Sequence, residues 1–179
     1  MRRIYLSICF IMMIMLSCNV AMAAHLNCGG AWQLHKKFCE DIQKNSSVQN
    51  KPAFEVGDLI NDEKSILIYH FDVHWKGENV ANVVIKADEA GYVDSITIYG
   101  KNNTDTQVDG AAFVLVGLSH AVGMTDKEFS NLAHNMVTIP VKDIIWKYGE
   151  AWVNSIGQNI FHNIFIYSDG AFEHGILVR

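Results

Sequence analysis

Between Leu67 and Trp75 the side chains alternate with few faults: Leu67, Tyr69, Phe71, Val73 and Trp75 point one way, and Ile68, His70, Asp72 and His74 the other. A period of two belongs to an extended chain whose neighbouring side chains face opposite sides, so this stretch reads as a strand with one buried and one wet face. Lys76-Gly77-Glu78-Asn79 follows as a turn and Val80 to Ala87 as a returning strand. Asp88-Glu89-Ala90-Gly91 makes a second turn before Tyr92 to Tyr99, a third strand rich in Val, Ile, Thr and Tyr. Strands joined by such short turns lie side by side and antiparallel, and a sheet wet on one face needs helices on the other.

Helical candidates flank this meander. In the segment from His25 to Lys44, Leu34, Phe38 and Ile42 recur at helical spacing, and polar Asn45 to Pro52 reads as a loop. Asp109 to Val122 is apolar almost all round, as a buried helix would be, with Gly123 at its C-terminal cap. Thr125-Asp126-Lys127-Glu128 matches a capping box and opens a helix over 126–137, in which Phe129, Leu132, Ala133 and Met136 form one apolar stripe. Beyond Pro140, Val141 to Tyr148 reads as a fourth strand. Ile160 to Tyr167 and Ala171 to Val178 flank Ser168-Asp169-Gly170 as a hairpin. No internal repeat is legible. The order of elements predicts a single α+β domain, a curved antiparallel sheet packed on helices; by fold analogy a cystatin-like or NTF2-like arrangement is one form it can take.

The first 23 residues have the order of a secretory signal: Arg2-Arg3, an apolar run from Ile4 to Leu16, then Ala21-Met22-Ala23. The apolar run falls short of the roughly 20 residues a bilayer-crossing helix needs, and no later stretch serves, so no transmembrane segment is expected. The short two-arginine leader is of bacterial type. Cleavage after Ala23 leaves residues 24–179 as one periplasmic or secreted domain. A second reading takes Met15-Leu16-Ser17-Cys18 as a degenerate lipobox, which makes Cys18 a lipid-bearing N-terminus and the product an envelope lipoprotein. On either reading Cys28 and Cys39 remain, and an oxidising compartment predicts a structural disulfide between them. On one continuous helix they would stand about 16 Å apart, whereas a bridge needs Cα atoms roughly 4.4–6.8 Å apart. Gly29-Gly30 must therefore turn the chain back.

Of 14 basic and 19 acidic side chains in the whole sequence, the leader holds two basic ones, which leaves 12 against 19. Such a surface disfavours nucleic acid and anionic lipid, and it suits a cationic protein partner or serves solubility alone. The sequence lacks G-x-S-x-G, H-E-x-x-H, a Walker loop and a dinucleotide fingerprint, so no catalytic residue and no cofactor are assigned.

Three sets of side chains carry possible chemistry. His70, Asp72 and His74 share one strand face, but the two histidines are roughly 13 Å apart, so one metal ion takes at most one of them with Asp72. The plain alternative is a solvated polar face. His162 and His174 share a face of the last hairpin if Tyr167 pairs with Ala171, and then lie diagonally across it as buried local partners, a ligand site or a switch near pH 6. Trp146, Tyr148 and Trp152 line up by strand alternation, as core or as a partner-binding patch. Ser119 and His120 are adjacent on a helix, point some 100° apart and form no nucleophile–base pair. These features predict an exported envelope protein that binds a protein partner, of inhibitor or immunity type. The alternatives are a hydrolase, metal-dependent or using His/Asp acid–base chemistry, and a lipid-anchored accessory subunit of an envelope assembly.

Overall fold

The computed structural model describes residues 25–48, 52–62 and 65–178; the leader with Cys18 lies outside them. The chain runs β1 (Leu26–Gly30), α1 (Ala31–Val48), β2 (Phe54–Val56), β3 (Ile60–Asp62), β4 (Ser65–Trp75), β5 (Glu78–Ala87), β6 (Tyr92–Lys101), α2 (Asp105–Val122), α3 (Asp126–His134), β7 (Val137–Val141), β8 (Ile144–Val153), β9 (Gln158–Tyr167) and β10 (Ala171–Val178). Among the described residues there are three helices and one open, ten-stranded antiparallel sheet, a single α+β domain.

The main path of the sheet is β2-β4-β5-β6-β10-β9-β8-β7, with β3 also on β4 and β1 also on β6. Each half is a helical segment followed by an antiparallel meander whose last strand is innermost, and the two last strands, β6 and β10, pair at the centre. The topology is thus duplicated although the sequence shows no repeat.

The alternation of β4 is realised: Phe71, Val73 and Trp75 are buried, while His70 and Asp72 are exposed. The β4–β5 turn carries positive φ at both Lys76 and Gly77, as a two-residue type I′ hairpin requires. Leu34, Phe38 and Ile42 of α1 are fully buried, and the Phe38 ring lies 5.5 Å from that of Phe71. Thr104 caps α2 by accepting from the Gln107 amide, and Gly123 ends it in the left-handed conformation at φ 115°. Both halves of the Thr125–Glu128 capping box are formed at α3.

Five sequence expectations need correction. The segment from His25 is not helical at once: β1 comes first, and α1 then runs through Val48 into the stretch expected to be loop. Helix α3 ends at His134 rather than at 137, because Val137 already begins β7. Pro140 lies inside β7, opposite Ile145; β7 is the last strand of the sheet path, and an edge tolerates a residue that cannot donate. The fourth strand is in fact a hairpin, turning at Lys142-Asp143, whose second arm reaches Val153. The Cys28–Cys39 bridge is not formed: both thiols are free. Cys28 is carried by β1 while Cys39 sits in the third turn of α1, so the Gly29-Gly30 turn does not bring the chain back far enough. Burial pushes the Cys28 thiol up to about 11 and raises that of Cys39, which disfavours the thiolate at both.

Two glycines set the position of α2. A Cβ on Gly110 would stand 2.5 Å from a Val80 methyl, and one on Gly117 would stand 3.1 Å from the Phe38 ring. The helix therefore presses onto β5 on one side and α1 on the other, over the first half of the sheet. Gly110→Ala gains about 1 kcal/mol of helix propensity, yet the collision should lower stability by about 1–3 kcal/mol. Urea unfolding should show this loss, and Val80→Ala in the same chain should recover part of it.

Candidate functional site

The β4 set does not converge. His70 pairs across the sheet with Val84, Asp72 with Asn82 and His74 with Asn79, all on the face away from the helices. Among the described residues no three His, Cys, Asp or Glu side chains are placed to hold a metal ion.

His162 and His174 are brought together. In the β9–β10 ladder His162 stands opposite Ile176 and His174 opposite Ile164, the register that puts the rings diagonally on one face. Both rings are buried, and His162 Nδ1 lies 2.9 Å from His174 Nε2. Two neutral imidazoles share such a bond when one donates and the other accepts. His162 Nε2 is buried with no partner among the described residues. Burial lowers His162 to about 4, and burial followed by the charge of His162 holds His174 well below its ordinary value.

The sequence reading missed His120. Its Nδ1 lies 3.0 Å from Asp41 Oδ2 and its Nε2 2.9 Å from Asp126 Oδ1, so one imidazole on α2 links α1 to α3. It can donate to both carboxylates only with a proton on each nitrogen. Asp41 is 79 residues away in sequence, and no local pattern announces the contact; Asp126 sits beside the capping box and could have been suspected. Open cavities of about 260 Å³ flank the ring on either side. Ser119 is fully buried, its hydroxyl has no partner among the described residues, and it does not join His120.

Trp146, Tyr148 and Trp152 share one face of β8, opposite Phe165, Asn163 and Asn159 of β9. This is the face away from the helices, because the intervening Gly149 is packed against Leu132 and Met136 at the end of α3. The rings adjoin: Trp146 to Tyr148 at 4.9 Å, Trp146 stacked on Phe165 at 6.1 Å, and Tyr148 to Phe161 at 6.2 Å. Trp152 at the end of the strand is 58% exposed. Val137 and Val141 of β7, both exposed, extend the patch toward the sheet edge. The corresponding face of the first half carries Ile68, His70 and Asp72, then Asn82, Val84 and Lys86, then Ser95, Thr97 and the exposed Tyr99. One continuous sheet face is therefore mostly polar over β4–β6, with Ile68, Val84 and Tyr99 among the polar side chains, and gathers adjoining aromatic rings over β8–β9. Two buried polar atoms on the aromatic side, Trp146 Nε1 and Asn163 Oδ1, have no partner among the described residues. The Asn163 side chain lies across Gly175, where a Cβ would meet its Oδ1.

No helix among the described residues is long and apolar enough to cross a membrane. Comparison with protein-family models, curated proteins and solved structures finds no match to this chain.

The histidine pair has a pH consequence with a definite sign. The unfolded histidines take up protons near pH 6.5, whereas the folded His162 does so near 4. The unfolded chain thus binds more protons between those values, and stability falls as pH drops through that window by about 1.4 kcal/mol per pH unit for each ring that stays neutral. His174→Leu alone orphans His162 Nδ1 as well and should cost about 1–3 kcal/mol at pH 7.5. The double variant His162→Leu/His174→Leu should recover most of that loss and flatten the acid limb. Urea unfolding at pH 7.5 and pH 5 checks both; a limb unchanged in the double variant places its origin elsewhere.

Proposed function

We propose that this chain is an exported envelope protein that acts by binding a protein partner, in the manner of an inhibitor or immunity protein, through the outer face of β7–β9. The carrying observation is the division of that sheet face. A surface kept wet for solubility alone would be mostly polar with apolar side chains dispersed, as it is over β4–β6, where Ile68, Val84 and Tyr99 stand among His70, Asp72, Asn82, Lys86, Ser95 and Thr97. Over β7–β9 it instead gathers adjoining tryptophan, tyrosine and phenylalanine rings, the residue types that dominate the binding energy of protein interfaces. Glu150 and Glu173 lie on the same face, and with the acidic balance of the chain they favour a partner whose apolar surface is rimmed by basic side chains.

The leader segment supports export, by the order of its basic, apolar and small residues. Intact mass of the mature protein separates the soluble form, starting at Ala24, from a form acylated on Cys18. Acid–base hydrolysis has less support: His70, Asp72 and His74 are spread along β4, and the hydroxyl beside His120 is buried away from it.

A photo-crosslinking residue at position 152, in the cell that makes the protein, should give one adduct of discrete mass, and the same residue at position 70 on the polar half should give none. Trp146→Ala should diminish the adduct. Equal labelling from both positions, or none from either, overturns the reading, and an adduct of twice the chain's own mass replaces the foreign partner with a second copy.

A further inference from the structure

The helix-bearing side of the sheet has an opening that the interface above does not use. α2 is drawn over β5 at Gly110 and α3 packs on β8 at Gly149, and the helix-facing side of β8–β10 beside α2 is not filled. A groove of about 430 Å³ remains there, within the roughly 300–1,000 Å³ range of small-molecule sites.

Its floor is a row across four strands. Lys147 on β8 stands opposite Ile164 on β9, Ile164 opposite His174 on β10, and His174 opposite Ile98 on β6. Ile166 and Phe172 form the next row. Its wall is a helical stripe on α2 made of Val108, Ala111, Ala112 and Leu115. This explains why α2 is apolar nearly all round although the fold buries one side: Val108 and Ala112 are exposed at the groove. Three strand spacings separate Ile98 from Lys147, about 14 Å. The groove is thus apolar along its length with a cation at its far rim. No carboxylate among the described residues pairs with Lys147.

We propose that this groove binds a small amphipathic carboxylate, with its apolar chain between the α2 stripe and the β9–β10 floor and its carboxylate at Lys147. Burial of the chain supplies the affinity and the lysine selects the sign of the head group. An extended peptide fits less well. Strands β6, β8, β9 and β10 each have neighbours on both sides, so the floor offers no free backbone edge for a peptide to pair with.

The proposal is independent of the outer-face interface, and the experiment keeps the two apart. Laurate should displace 1-anilinonaphthalene-8-sulfonate from the mature protein saturably, at one site per chain, with dodecylamine a poor competitor. Lys147→Glu should weaken laurate by about tenfold or more while leaving dodecanol nearly unchanged. Ala112→Trp, which fills the groove from an exposed position, should abolish both, and Trp152→Ala on the opposite face should abolish neither. Far-UV circular dichroism identifies any variant that does not fold, and Lys147→Glu, at a half-buried rim position, then serves alone. Laurate binding that is absent, unaffected by Lys147→Glu, or matched by dodecylamine overturns the proposal.

Discussion

From Ala171 opposite Lys101 to Leu177 opposite Ser95, β10 lies antiparallel along β6, and this seam joins two meanders that are otherwise local in sequence. Most other pairings here close through turns of a few residues. The β6–β10 seam closes across two helices and three strands, so its entropic cost is the largest of any ladder in the fold. Ile96 against Ile176, both fully buried at its centre, shows what offsets that cost. With the seam in place the ten strands form one surface, and every later property of the molecule concerns which parts of its two faces the helices cover.

The helices cover those halves unequally. On the first half, α1 and α2 bury Phe71, Val73 and Trp75, with Phe113 on α2 within 6.0 Å of the Trp75 ring. On the second half only α3 lies close, against Gly149, where a missing side chain lets Leu132 and Met136 approach. A duplicated topology would lead one to expect a duplicated core. The two short contacts at Gly110 and Gly117 instead commit α2 to the first half, and the second half is left with a groove on one face and aromatic rings on the other.

The fold class was legible because it rests on local signals. Alternation in β4, the capping box at Thr125 and the Ser168-Asp169-Gly170 turn each specify an element within a few residues, and all three are where the pattern put them. Pro140 misled because its tolerance depends on β7 being an edge, a property of the assembled sheet. The cysteines misled for a related reason: compartment and parity say that two thiols can pair, whereas the distance between them depends on where β1 joins β6. His162 and His174 could be placed because hairpin register follows from one turn. His120 could not, since Asp41 reaches it only through the packing of α1 on α2. Candidate-site chemistry was visible to the extent that its geometry was local.

The buried histidine pair is a costly feature of the second half. Two leucines at 162 and 174 would fill the same inward positions with no desolvated nitrogens, and His162 Nε2 has no partner among the described residues. Stability alone therefore does not account for the pair. Its position does suggest an account: His174 is in the floor of the α2 groove, one strand from Ile164 and two from Lys147, and His162 fixes the His174 ring through Nε2. A ring held in this way presents a fixed, neutral, polarisable surface to whatever lies above it. An unbonded histidine there could rotate or take up a proton, and either change would alter the floor of the groove that carries Lys147 at its rim.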